Sequence, residues 1–218
     1  VALRVFFPLA AVGIALFAQE HGLGLLHHAP LPAMADIVLT VIALDLIIYW
    51  QHRLFHKIPL LWRLHKVHHA DLELDVSTGL RFHPVEILLS MLIKTGVILL
   101  LGLPALGVLI FEVLLNSTSL FNHGNLHIPV SVDRWLRRLV VTPDMHRVHH
   151  SPHAMETNSN FGFNLPWWDW LFRSYRDQPQ EGHLHMRLGL DDQPEPLNFP
   201  RALWLPFQAA RQKPSRSL

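Results

Sequence analysis

No cysteine occurs in the 218 residues, which excludes disulfides, thiolate metal ligands and cysteine-held iron–sulfur clusters. Charge is also scarce. Asp, Glu, Lys and Arg make up 16% of the chain, against about 25% in an ordinary soluble domain. The formal net charge is +1 with histidine neutral, so the balance favours neither nucleic acid nor a strongly acidic partner. Any redox chemistry must draw its electrons from a bound metal, a cofactor or another protein. The chain is rich in two things instead: half of it is hydrophobic, and it carries 17 histidines.

The apolar residues come in long runs. Val5 to Leu26 is interrupted only by Gln19, Glu20 and His21, and Leu31 to Trp50 only by Asp36 and Asp45. Each run has about the 20 residues that cross a bilayer as a helix. A signal peptide competes for the first run, but no clear small-residue cleavage site precedes the second. A third stretch, Val85 to Phe121, would reach roughly 55 Å as one straight helix, too long for one crossing. Leu101-Gly102-Leu103-Pro104 divides it into a hairpin. Lys94 lies inside its first arm, a costly position unless it faces protein or snorkels.

Ten histidines fall into four short boxes: HRLFH (His52, His56), HKVHH (His65, His68, His69), HGNLH (His123, His127) and HRVHH (His146, His149, His150). Helical residues three and four apart share a face, so each box directs imidazoles to one place. Together they describe a cage large enough for two metal ions. Imidazole suits iron, zinc, copper and nickel alike. Asp71, Asp75, Glu86 and Asp144 are candidates to accept a hydrogen bond from the second ring nitrogen, and His83 is a candidate outer ligand. His27, His28, His183 and His185 read as ordinary polar positions, Trp167, Trp168 and Trp170 as an interfacial belt, and Asn158 and Asn160 as turn caps.

The hairpin returns the chain to the side it left, which puts all four boxes on one side. Arg53, Lys57, Arg63, Lys66 and Arg81 surround the first two boxes, and Arg134, Arg137, Arg138 and Arg147 the last two. The opposite connections, at 27–32 and 101–105, carry no Lys or Arg. The positive-inside rule makes the boxes cytoplasmic. The expected fold is an all-α integral membrane protein of about four transmembrane or hairpin helices, with a cytoplasmic helical cap carrying a polyhistidine di-metal site. It forms a single membrane domain, 1–218. Membrane helices fall at 5–26 and 31–50 and the membrane hairpin at 85–121. The cap comprises 51–84 and 122–176, and an interfacial tail follows at 177–218. HKVHH and HRVHH each follow a hydrophobic hairpin and a four-spaced box, an echo between the two halves.

At these residues the chain resembles the fatty acid hydroxylase superfamily, which includes sterol desaturases, sterol methyl oxidases and alkylglycerol monooxygenase. The likeness covers DLIIYWQHRLFHKIPLLWRLHKVHH (45–69), DVSTGLRFHPVE (75–86) and 122–175, with VTPDMHRVHHSP and ETNSNFGFNLPWWDWLF. It implies an integral membrane, non-haem di-iron enzyme that uses O2 and reductase-supplied electrons to hydroxylate or desaturate a C–H bond of a sterol-like or fatty-acyl lipid. By the same resemblance the ligands of the two iron ions would be His52, His56, His65, His68, His69, His123, His127, His146, His149 and His150. The electron donor would be a separate protein, a reductase with a ferredoxin or cytochrome b5-like carrier.

Other functions compete. A carotenoid ring hydroxylase has a similar box order. A zinc-dependent membrane hydrolase would need only three or four ligands and an open position. A metal transporter would place its site near the bilayer midplane, in broken helices, rather than at helix ends.

Overall fold

The computed structural model describes residues 2–29, 31–193 and 195–208. Among these the architecture is helical, with no strand beyond an isolated bridge between Leu190 and Gln193. Four segments are long and apolar enough to cross a membrane: Phe6–His28, Ala33–Lys57, Pro84–Leu101 and Ala105–Asn122. This is the expected all-α membrane architecture.

The first apolar run is not one helix. Helix α1 (Ala2–Glu20) stops where Gly22 (φ +63°) and Gly24 (φ +102°) turn the chain, and a single turn, α2 (Leu25–His28), follows. Both glycines occupy left-handed backbone that other residues rarely adopt. A Cβ on Gly24 would come within 2.1 Å of the Gly102 nitrogen. The connections at 21–24 and 101–104 therefore touch, at one end of the bundle.

Helix α3 (Ala33–Lys57) continues past the apolar run and carries the first box on its last two turns. Its buried residues Thr40, Leu44, Ile48, His52 and Phe55 form one stripe at three- and four-residue spacing, so the face that packs in the bundle is the face that presents His52. After Ile58 the chain turns into α4 (Pro59–His69), with Pro59 at its first position, where a missing N–H costs nothing. Helices α5 (Pro84–Leu101) and α6 (Ala105–Asn122) form the hairpin, closed by Gly102 at φ +71°. Small residues let these helices approach closely. Ala11, Ala15 and Ala18 are fully buried along α1, and a Cβ on Gly107 would lie 2.8 Å from Thr40 Cβ. Leu44, Ile98, Val108 and Phe111 close the core between them.

Short helices cap the other end: α7 (Val130–Leu136), α8 (Pro143–His149), α9 (Ala154–Thr157) and α10 (Trp167–Leu171). In the tail, α11 (Phe199–Trp204) leads to a turn whose Leu205 is buried against Val67 and Ala70 of the α4 segment. Phe199, Trp204 and Phe207 stay exposed. Residues 209–218 of the expected tail lie outside the described residues.

Candidate metal centre

Nine of the ten box histidines converge where α3, α4, α6 and α8 end. His52, His56, His65, His69 and His149 form one group, and His68, His123, His146 and His150 a second. Within each, one nitrogen per ring lies within 4.8 Å of all the others. The split follows from helix geometry. At about 100° per residue, His69 lies about 40° to one side of His65 and His68 about 60° to the other. His65 and His69 therefore serve one group while His68 crosses to the second. HRVHH does the reverse: His146 and His150 stay together and His149 crosses over.

His127 stands apart. Helix α6 ends at Asn122, His123 caps it, and Gly124 N–H donates to the Phe121 carbonyl at 3.0 Å in a closing turn. His127 thus follows in non-helical, exposed chain, where four-residue spacing no longer means a shared face. The structure does not bring it to either group.

The ring nitrogens identify what this cluster is built to hold. A neutral imidazole has one N–H and one lone pair. His52 Nδ1–H donates to the Phe161 carbonyl (2.8 Å), His149 Nδ1–H to the Ser159 carbonyl (2.7 Å) and His65 Nδ1–H to Glu86 Oε1 (2.6 Å). All three Nε2 atoms are consequently lone-pair donors, yet His52 Nε2 lies 3.1 Å from His65 Nε2 and 3.0 Å from His149 Nε2. Acceptors facing each other out of water repel, and a shared cation turns the repulsion into ligation. In the second group His123 Nδ1–H donates to the Ser119 carbonyl (2.7 Å), and its Nε2 faces those of His68 and His146, each at 3.0 Å. The buried Nε2 of His56 has no hydrogen-bond partner. The residues fit a pair of metal ions.

Protonation supports the same use. Burial, then repulsion between neighbouring imidazoles, holds His68, His69, His146 and His150 well below the ordinary imidazole value. The same causes bring His149 down to about 3. Imidazole must be neutral to ligate, and these are.

Of the four acids expected behind the rings, only Glu86 is there. Asp71 binds Arg81 (2.8 Å) and Thr78, Asp75 accepts from Ser77 N–H (2.6 Å), and Asp144 pairs with Arg147 (3.4 Å). His83 is not an outer ligand. Its Nδ1 accepts from Val85 N–H to cap α5, and its Nε2–H donates to the Leu203 carbonyl. Trp168 is more than a belt residue, since its indole N–H donates to Asp45 at 2.8 Å.

Two carboxylates that sequence reasoning did not single out hold the cage from behind. Asp45 on α3 accepts from the backbone N–H groups of Asn164 and Leu165 (both 3.3 Å) as well as from Trp168. Asp169 accepts from Phe161 and Gly162 N–H (both 2.8 Å) and from Ser174 Oγ (2.7 Å). Burial raises the Asp169 carboxyl to about 6. Asn160, at φ +51°, donates to the Met145 carbonyl (2.9 Å) and so ties this loop to α8. Together they fix residues 159–165, whose carbonyls orient His52 and His149. The signals were present as an Asp deep in an apolar run and as the Asp of WWDW.

A cavity of about 120 Å³ opens beside the first group, lined by His52, His65 and Glu86 and by Ile48, Phe55 and Phe163. It reaches Lys94 of α5 and Glu112 of α6, which form a buried ion pair.

Comparison with known proteins agrees with this geometry. A family model described as fatty acid hydroxylase matches residues 37–174. The chain is 30% identical over 181 residues to an ornithine lipid hydroxylase of Rhizobium tropici, covering 82% of this chain and 53% of that protein. It is 24% identical over 138 residues to alkylglycerol monooxygenase of Homo sapiens, covering 61% and 29%. A very-long-chain aldehyde decarbonylase of Oryza sativa subsp. japonica is 23% identical over 176 residues, covering 75% and 26%. The chain thus spans about half, or less, of the length of these curated relatives. No solved structure matches it. The matched segment holds both histidine groups, Glu86, Asp45 and Asp169, and with it this chain belongs to the fatty acid hydroxylase family.

Proposed function

We propose that this chain forms the catalytic core of an O2-dependent, non-haem di-iron oxidoreductase that hydroxylates a lipid C–H bond at the membrane surface. The observation that carries this is the position of nine gathered histidines at the end of an apolar helical bundle, beside a cavity that runs back among its helices. His52, His56, His65, His69 and His149 would hold one iron ion, and His68, His123, His146 and His150 the other. When bound, the two ions supply the activation of O2 that an unreactive C–H bond requires.

The chain's own residues do the rest. Glu86 and the carbonyls of Phe161, Ser159 and Ser119 each hold a ring N–H, which fixes the ring's direction and its tautomer. Phe55 and Phe163 exclude water from the space beside His52. Five ring nitrogens in one group exceed the four of a structural zinc site, which favours iron over a zinc hydrolase. The names of the relatives, an ornithine lipid hydroxylase and an alkylglycerol monooxygenase, favour oxygenation of a lipid of that kind over a carotenoid ring. With no cysteine to hold an iron–sulfur cluster in these 218 residues, the site would take its electrons from a carrier of the ferredoxin or cytochrome b5 kind. The Lys and Arg residues around the boxes, and their absence from 27–32 and 101–105, support a cytoplasmic face for the site.

The test is lipid mass spectrometry of a host expressing the chain under labelled O2, beside a His149→Ala control. One labelled oxygen in a lipid, absent from the control, is expected. A lipid losing two hydrogens without label would replace hydroxylation by desaturation. Stoichiometric zinc with no O2 uptake would overturn the proposal.

A further inference from the structure

The cavity is less apolar than a channel for hydrocarbon needs to be. Ile48, Phe55, Phe82 and Leu115 give it hydrocarbon lining, but Gln51, Lys94, Glu112 and Asn116 line it too. Lys94 and Glu112 sit mid-helix on the two arms of the hairpin, with both side chains buried. An ion pair at that depth is costly, and a well-packed apolar pair of similar volume would serve stability as well or better. Its retention in the cavity wall calls for a use.

Two further atoms indicate the use. Gln51 Oε1 and Glu86 Oε2 are buried acceptors without a hydrogen-bond partner, and both residues line this cavity. Glu86 is itself buried, with its other oxygen occupied by His65. Unpaired buried acceptors favour a donor brought by a ligand. The charges restrict that donor. At the hairpin end of the cavity Lys94 and Glu112 neutralise each other, so an anionic or cationic ligand group beside them would lack a counter-charge in a low-dielectric space.

We infer that Gln51 and the Lys94–Glu112 pair form a specificity station for an uncharged, hydrogen-bond-donating group, a hydroxyl or secondary amide, within an otherwise apolar lipid. The inference rests on reading this cavity as the substrate site. Gln51 accepts the donor from the α3 side, next to the metal ligand His52. The ion pair supplies both a donor and an acceptor from the hairpin side. The station thereby fixes how far the lipid enters and which part of its chain lies beside His52 and His65.

The experiment reads binding to the purified full chain in nanodiscs by native mass spectrometry, without O2 or reductant. The probes are hexadecan-1-ol, N-hexadecylacetamide, hexadecane and hexadecanoate, which share a chain length and differ in the polar group. The alcohol and the amide are expected to bind about tenfold more tightly than the alkane and the carboxylate. Gln51→Leu and the charge-balanced double variant Lys94→Met/Glu112→Leu should each erase most of that preference. Hexadecane binding should stay unchanged in both, which controls for folding. Equal affinity for alcohol and alkane, a preference for hexadecanoate, or discrimination that survives both variants would overturn the station. Because no turnover is read, those results leave lipid oxygenation standing. Conversely, a preserved preference in a chain that transfers no labelled oxygen would overturn the oxygenase reading alone.

Discussion

The Nε2 atoms of His52 and His149 face each other at 3.0 Å, and both rings have already given their Nδ1–H to backbone carbonyls. Neither nitrogen can donate, so the fold holds two lone pairs together out of water. Such an arrangement gains stability from a cation and loses it without one. A metal present at about a hundred times its dissociation constant contributes about 2.7 kcal/mol, or about 5–10 °C for a chain of this size. Chelation of the purified protein should therefore lower its Tm by at least that amount, and iron should restore it. A Tm unmoved by complete metal removal would contradict the assigned role of these nitrogens.

His123 and His127 share a box but not a fate. His123 is fully buried between His68 and His146, whereas His127 is exposed beyond the end of α6. His123→Ala should lower the metal content from about two ions per chain to about one, with loss of activity. His127→Ala should leave both unchanged. Metal analysis of the two variants separates the outcomes, and loss of metal in His127→Ala would mean that the 124–129 segment folds back when metal binds.

The contrast explains how much of the site was legible. The helical boxes could be read because three- and four-residue spacing converts directly into direction once α3, α4 and α8 form. HGNLH has the same spacing, but the helix ends at Asn122, before the box begins, and the rule lapses. That His68 and His149 point away from their box partners follows from the helix angles, but which group each one joins depends on how α4 and α8 face each other, and no single box shows that. Asp45 and Asp169 were less legible still. Asp45 meets Trp168 across 123 residues, and only the closed fold makes that contact. The four apolar segments were plain in composition, while the turn at 21–24 was concealed because Leu23 and the glycines on either side of it let the apolar run continue to Leu26.

Asp169 offers a test of support from behind the cage. Its two oxygens accept from Phe161 and Gly162 N–H, and a Cβ on Gly162 would come within 2.7 Å of Oδ2. Asp169→Asn places an NH2 against one of those N–H donors, displacing the loop whose Phe161 carbonyl orients His52. Loss of such an orienting partner typically costs about 10–100-fold in metal affinity or activity. The variant should still insert in the membrane, with iron affinity reduced by about tenfold or more. Iron affinity equal to the parent's would assign Asp169 a purely structural role.

Acid should unfold the metal-free protein in a particular window. His68, His69, His146 and His150 are held well below the ordinary imidazole value and His149 is down at about 3, by burial first. The unfolded chain takes up protons near pH 6.5, and the folded chain refuses them until much lower pH. Below about pH 6.5 the unfolded state binds more protons, so stability falls as pH falls. Asp169, raised to about 6, works the other way, because the folded state takes its proton first; one carboxyl is set against five imidazoles. The Tm of chelated protein should be flat from pH 8 to about 7 and then drop steadily toward pH 5. Metal-loaded protein should resist further into acid, since a ligated nitrogen accepts a proton only after the ion leaves. A Tm of the chelated protein that held constant or rose toward pH 5 would mean that these rings are already charged, or solvated, in the folded state.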